Sequence, residues 1–565
     1  MKSEMIKTVS MRLAPISSVV ALAILLAAAP APASASSEPV VRNTRCPEYQ
    51  FMASVPFTDA KGKPQTTNAF LWIPEKCRNI RGVVLAQQNV GEQGFAENAV
   101  IRQACRDTGM AMVWFYPYFN QAFDHPDQDG AVLQNALDEL ATVSGYAEIA
   151  SAPWLPFGHS TMGSFTQRLA NWKPERCLAQ FVFKCMMDFT LPNNRQVPLF
   201  EVGSNFTEWG QQKKDWTKNA PNFWEPAAIG KDRATTDRPM SFLLENGSSH
   251  FVMTDAEADM IAMYIRKVVP ARLPDAGSVL KPVDIDSGWL VDLDMGKPNR
   301  SPAQPARSAT DSARNGVWFF DEEMAKAVEK LMNVNWTRKT QIPAILRNDG
   351  AIPAVQDSGM FEGATPVVGE DGVTFTLKPA FLDRIPNNFT TGAGQELGHS
   401  DKGQIQIAWL GGNSIVTGPD TIRPIVDRCW NSMIYVRHPG DDEYRPSIQP
   451  FGVRFPSTKT GKPQTITFPE IPDQPAGTKP LELEAVSDAG LPVEYGVIVG
   501  PARVSGKTLT FTDIPPRSRF PIKVTIRAAQ FGRSIEPAVQ SARMVERSFM
   551  ITPRAATVIA EALHK

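Results

Sequence analysis

The chain has 565 residues, with 58 Lys and Arg against 59 Asp and Glu, a formal net charge of −1. At roughly 150 residues per domain that length implies three or four domains, and the balanced charge argues against a protein devoted to nucleic acid, since phosphate binding wants a basic surplus. A composition of 42% hydrophobic and 21% charged residues excludes wholesale disorder. Proline is the outlier at 47 residues, about 8% against a usual ~5%. Glycine is ordinary at 38, so the proline excess signals turns, edge strands and long loops rather than a linker composition.

Residues 1–35 have the organisation of an export signal. Lys2, Lys7 and Arg12 form a basic start, Val19 to Ala29 an apolar core, and Ala33-Ser34-Ala35 a small-residue cleavage site. The apolar core is too short to span a bilayer, which takes about 20 residues. A secreted or periplasmic location is therefore expected, with no membrane span after cleavage. Export places the cysteines, Cys46, Cys77, Cys105, Cys177, Cys185 and Cys429, in an oxidising setting. Connectivity does not follow from spacing; Cys46 with Cys77, flanking a hairpin-like stretch, is the pairing expected.

Between 80 and 268, short apolar runs alternate with amphipathic stretches. Strands are expected at Gly82–Ala86, Met110–Tyr116, Trp154–Phe157, Leu178–Phe183, Val197–Val202 and Pro239–Leu244. Helices are expected at Ala96–Thr108, Gly130–Gly145, Gly163–Trp172 and Asp255–Val268. This alternation predicts a doubly wound, mostly parallel sheet covered on both faces, over a domain at 36–280. Residues 281–340 read as a linker carrying one helix, Phe319–Met332, with Asp321 as a possible N-cap. Helical signals then vanish. Residues 341–460 read as a β-rich domain, 461–551 as a small β-sandwich with strands about ten residues apart, and 552–565 as a tail.

The motif that carries chemistry is Gly158-His159-Ser160-Thr161-Met162-Gly163. It follows a strand and opens a helix, so Ser160 would sit on a tight turn with its hydroxyl exposed and a helix N-terminus behind it. The second glycine falls one place later than in G-x-S-x-G. A serine nucleophile needs a base, and His250, in the loop Glu245-Asn246-Gly247-Ser248-Ser249-His250-Phe251, follows the last strand and precedes a helix. An acid is needed to orient its ring. Glu208, past a strand end, is the first choice, Asp188 the alternative, and Glu201, within the strand, the third. Oxyanion donors are expected from the amides of Thr161 and Gln88. Trp209 and Trp216, close after Glu208, read either as the core of an inserted lid or as walls of a substrate pocket.

On Gly158-His159-Ser160, the serine-to-histidine order and the Gly247-to-Phe251 loop, residues 80–268 resemble the α/β-hydrolase superfamily. The resemblance implies a serine hydrolase with Ser160 as nucleophile and His250 as general base; the acid does not carry over, since no Asp stands at the turn after Val202. Residues 462–551, with Gln464 to Asp473 and Gly490 to Tyr495, resemble the Ig-like modules of secreted bacterial proteins. The expected activity is carboxylic ester hydrolysis without metal or organic cofactor, on a small or polymeric ester that extends to acylated or methyl-esterified carbohydrate. A peptidase or amidase on the same triad, or a non-catalytic surface or binding protein on a hydrolase scaffold, are the alternatives.

Overall fold

A computed structural model describes residues 45–185, 187–204, 232–245, 248–275, 279–293, 301–309, 316–354, 361–384, 397–429, 432–456 and 458–554. The expected signal, Glu208, Trp209, Trp216 and nearly all of the expected tail lie outside these residues. All the described residues belong to one compact unit.

Its centre is an eight-stranded sheet. Strands β1 (Phe51–Thr58) and β2 (Pro64–Trp72) form an antiparallel hairpin. They are followed by β3 (Gly82–Gln87), β4 (Met110–Tyr116), β5 (Trp154–His159), β6 (Gln180–Phe183), β7 (Leu199–Ser204) and β8 (Met240–Glu245). The spatial order is β1-β2-β4-β3-β5-β6-β7-β8. β2 runs antiparallel to β4, and every pairing from β4 through β8 is parallel. The sheet is thus α/β-hydrolase-like: mostly parallel, with the antiparallel strands confined to one end. The near-continuous apolar runs of β3 and β4 fit strands buried on both faces.

Helices cover both faces. α1 (Glu92–Ala96), α2 (Ala99–Thr108), α3 (Pro126–Ser144), α4 (Met162–Trp172) and α5 (Asp255–Arg272) connect the strands or follow them. Ile101 and Cys105 of α2 share one core with Ile261 and Ile265 of α5. Leu133 and Leu137 of α3 share the other with Phe165 and Leu169 of α4. The helix expected over 96–108 begins at Ala99, because the Asn98 side chain accepts the amides of Val100 (2.9 Å) and Ile101 (3.2 Å) and so caps it there. α3 starts at Pro126, ahead of the expected Gly130. Gly130 is an interior position where the Trp172 ring comes too close for a side chain: a Cβ there would lie 2.2 Å from it. Thr254 and Glu257 form a capping box that starts α5.

Residues 281–340 behave as part of the domain rather than as a linker. Strands Trp289–Val291, Gln304–Pro305 and Val317–Phe319 form a small sheet, and helix α6 (Glu322–Thr337) has Asp321 as its N-cap. Val317, Phe319, Met324 and Val328 are buried in the same core as β8. Ser241 on β8 donates to the Trp318 carbonyl at 2.6 Å. Apolar surface on these elements had to be covered, and the edge strand of the sheet covers it.

Beyond residue 340 the described residues are β-rich. Phe361–Ala364, Ser447–Val453, Met433–His438 and Gln406–Gly411 make one four-stranded sheet. Val367–Val368, Phe375–Thr376, Thr421–Pro424 and Ser414–Val416 make another. Beyond 460, the sheet of Gln474–Pro475, Val545–Thr552, Ile522–Ala529 and Glu494–Val499 shares a core with that of Leu481–Glu482, Thr508–Phe511 and Ala502–Ser505.

Neither β-rich region hangs free. Leu410, Met433, Tyr435 and Ile448 bury against Val252 and Val90 of the α/β domain. The last region docks at the end of α3, where the Arg519 amide meets the Ser144 carbonyl at 2.9 Å and Arg517 pairs with Glu148 at 2.9 Å.

Candidate functional site

Parallel strands direct their C-terminal ends to one edge, and in open α/β sheets ligands bind there. β5 ends at His159, and Ser160 turns the chain into α4 with φ 55°. Such a backbone costs a non-glycine residue roughly 1–3 kcal/mol, a strain associated with functional sites. The neighbours show why the motif uses small residues. A Cβ on Gly158 would meet the Met162 carbonyl oxygen at 2.0 Å, and one on Gly163 would meet Cys185 Sγ at 2.4 Å. The displaced second glycine is therefore the position where α4 crosses β6, while Met162 is fully buried beneath the turn.

The structure brings Ser160 and His250 together: His250 Nε2 lies 2.8 Å from Ser160 Oγ. Ser160 is partly exposed and His250 is buried at 5% exposure, so the pair is reachable from one side and dry on the other. The loop carrying His250 is held from beneath. His159 Nε2 lies 2.8 Å from the His250 carbonyl, an arrangement that requires the proton on Nε2. Burial holds His159 well below the usual histidine range, so it stays neutral. The ring that directly precedes the serine thus serves the loop of the opposing histidine.

Lys184, the residue after β6, enters the same loop. Its Nζ donates to Ser248 Oγ at 2.7 Å, to the Ser249 carbonyl at 2.8 Å and to the Val252 carbonyl at 2.6 Å. It is ion-paired with Glu257 of α5 at 3.1 Å, both side chains being fully buried. Burial pushes the Glu257 carboxyl up, and the Lys184 ammonium pulls it back down.

On the other side of Ser160 the loop after β3 is organised by Glu92. Its carboxylate accepts the amides of Asn89 (2.7 Å), Val90 (3.1 Å) and His159 (3.0 Å). Burial pushes this carboxyl up to about 7, against the pull of those donors. A small cavity of about 40 Å³ is lined in part by Gly91, His159 and Phe251 and by Trp409, Leu410 and Tyr435 of the first β-rich region.

Several expectations meet a different geometry. The Gln88 amide donates to the Phe115 carbonyl at 2.9 Å, so it is spent inside the sheet and is not an oxyanion donor. Gln88 acts instead through its side chain, whose Oε1 accepts from Gln93 N (2.8 Å) and Trp114 Nε1 (3.0 Å). Asp188 Oδ1 accepts from the amide (3.0 Å) and hydroxyl of Thr190, which closes its own turn. Glu201 is fully buried within β7, with neither carboxylate oxygen hydrogen-bonded, and burial raises its carboxyl well above the usual range. All six cysteines are thiols. The expected Cys46–Cys77 bond is not formed: the Cys46 amide is tied to Glu97 at the start of α2, whereas the Cys77 carbonyl is held by Tyr146 beyond α3.

Lys184 and Glu92 were not among the residues expected at the site. Lys184 has a sequence signal, a lone lysine closing the apolar run Phe181-Val182-Phe183. Glu92 has a weaker one, Asn89 followed three residues later by an acid, which reads only as a helix start.

No family model and no curated protein matches the chain. Several solved structures are similar to part of it. A poly(3-hydroxybutyrate) depolymerase from Bordetella parapertussis is 17% identical over 40% of this chain and 93% of its own, with a TM-score of 0.27. A siderophore hydrolase from Aspergillus nidulans is 13% identical over 41% of this chain and 97% of its own, also at 0.27. An esterase domain from Rhodothermus marinus is 15% identical over 38% and 96%, at 0.24. Likeness at this level fixes no activity, so function rests on the residues themselves.

Proposed function

We propose that this chain is an exported serine hydrolase that cleaves a carboxylic ester through an acyl-enzyme. The observation that carries the reading is the 2.8 Å contact between His250 Nε2 and Ser160 Oγ, made at the C-terminal strand ends by a serine held at φ 55°. Ser160 Oγ attacks the acyl carbonyl while His250 takes its proton. His250 then returns that proton to the leaving alcohol, and water releases the acyl group by the same steps in reverse roles. The Thr161 amide, at the N-cap of α4, stabilises the oxyanion. The amides of Gln88, Asn89 and Val90 are already hydrogen-bonded, so Thr161 is the donor assigned.

Glu208 is the acid in this proposal. Asp188 Oδ1 is engaged by Thr190 and Glu201 is enclosed within the sheet, which leaves the carboxylate beyond the end of β7. Trp209 and Trp216 belong to the proposed substrate pocket. Export by 1–35, an Ig-like character for 461–551 and an acylated or methyl-esterified carbohydrate as substrate complete the proposal, each resting on sequence features.

A fluorophosphonate titration tests the core of it. One equivalent of adduct on Ser160 is expected, together with turnover of p-nitrophenyl acyl esters. Folded protein that forms no adduct refutes the reading, and turnover of aminoacyl anilides without esters would replace it with a peptidase.

A further inference from the structure

A general base must keep its ring within hydrogen-bond reach of the nucleophile through the whole cycle, and a loop does not do this unaided. His250 sits on a buried loop, just past a strand end. The loop is nevertheless gripped at several points: Ser204 Oγ donates to the Ser248 carbonyl and the Ser248 amide to Glu245, and three more bonds converge on one buried atom. Lys184 Nζ takes the Ser248 hydroxyl, the Ser249 carbonyl and the Val252 carbonyl at 2.6–2.8 Å. Those partners bracket His250 on both sides. His159 holds the carbonyl of His250 itself.

The cation is itself fixed. Lys184 leaves β6 with φ 49°, its amide donates to Val202 of β7 at 2.7 Å, and Glu257 at the start of α5 supplies the counter-charge. Two buried, oppositely charged groups are costly to assemble merely for stability, and replacing such a pair with apolar residues is often neutral. An ammonium that meets three acceptors of one loop, besides its counter-charge, serves geometry.

We propose that Lys184, paired with Glu257, is the positioning residue for His250: it holds the loop of residues 248–252 so that the imidazole stays on Ser160. The proposal rests on Ser160 and His250 being the reacting pair. It assigns no chemistry to Lys184, whose ammonium faces loop carbonyls.

Such a role has a kinetic signature. Displacing a catalytic group by about 1 Å costs on the order of a hundredfold in rate, and the acyl pocket is not touched. The full-length chain carrying Lys184→Met, and the double variant Lys184→Met/Glu257→Gln, which leaves no orphan charge, are compared with wild type on p-nitrophenyl acetate and by fluorophosphonate inactivation. In folded protein, kcat and the maximal inactivation rate are expected to fall about a hundredfold, with KM and the inhibitor's half-saturation within about twofold. A double variant that keeps native kcat overturns the proposal, as does one whose loss lies in KM. If neither variant folds, the bonds serve the fold rather than the base, and the proposal also falls. Wild-type protein that forms no adduct on Ser160 would instead refute the hydrolase reading itself, which separates the two failures.

Discussion

Glu92 Oε1 accepts the backbone N–H of His159 at 3.0 Å, which ties the loop after β3 to the residue immediately before Ser160. Through its other oxygen Glu92 also holds the amides of Asn89 and Val90. One buried carboxyl thus fixes the two backbone segments that flank the nucleophile.

Removing it should be felt as lost satisfaction rather than lost packing. Glu92→Ala leaves the buried N–H of His159 and the part-buried N–H groups of Asn89 and Val90 without an acceptor, at about 1–3 kcal/mol for a buried group and less for a part-buried one. The expected cost is ~3 kcal/mol in urea unfolding, together with a fall in kcat. Glu92→Gln keeps one carbonyl acceptor and should lose about half as much.

The same group makes stability depend on pH. Its folded pKa is about 7, raised from an unfolded value near 4.3. The native state therefore holds this proton more tightly. The contribution is favourable while the carboxyl is protonated and is lost as pH rises from about 4.3 through about 7. Against Glu92→Gln, wild type should lose up to ~3 kcal/mol across that window. A stability difference between the two that stays flat from pH 4 to 8 would refute the assignment.

Ser160 and His250 separate activity from stability. Ser160→Ala and His250→Ala should each lower turnover by at least ~10³-fold with melting temperature little changed. Ser160→Gly should be equally inactive yet more stable by about 1 kcal/mol, because glycine accepts φ 55° without strain. Ser160→Ala retaining full turnover would end the serine-hydrolase reading.

Gly158→Ala forces a methyl to within 2.0 Å of the Met162 carbonyl oxygen. Backbone cannot yield there as a side chain can, and a cost of ~3 kcal/mol or more is expected. Soluble expression and thermal melting would report it.

Asp427 links the first β-rich region to the α/β domain. It is bonded to Arg45, and its Oδ1 accepts from Gln93 of α1 at 2.9 Å. Asp427→Ala should destabilise by roughly 1–3 kcal/mol, the cost of leaving the buried Cys429 amide without its acceptor, while Arg45 keeps its ion pair with Glu97. A melt that splits into two transitions would show that this contact couples the regions.

Much of the α/β domain is legible in the amino-acid sequence. Each expected strand from Gly82 to Leu244 is present within a few residues, because a buried parallel strand must be written as an apolar run. Ser160 and His250 are legible because a turn motif and a scarce histidine announce themselves locally. Gln88 is misread for the opposite reason: whether an amide is available depends on the Phe115 carbonyl, which belongs to another strand. The linker reading of 281–340 fails likewise, since short apolar segments such as Val317–Phe319 reveal their partner only when the edge of β8 is in place.

Local pattern alone is enough for the order of strands and helices, the elbow at Ser160 and the candidacy of His250 after the last strand, since each depends on order and spacing along the chain. Only tertiary structure decides that His250 meets Ser160, that Lys184 grips the His250 loop, that Glu92 braces the elbow, and that the β-rich region at Leu410 and Tyr435 packs against Val252. Those contacts join residues dozens to hundreds of positions apart. Their energies come from burying charges and amides that must find partners wherever the fold brings them, and sequence spacing carries no record of that.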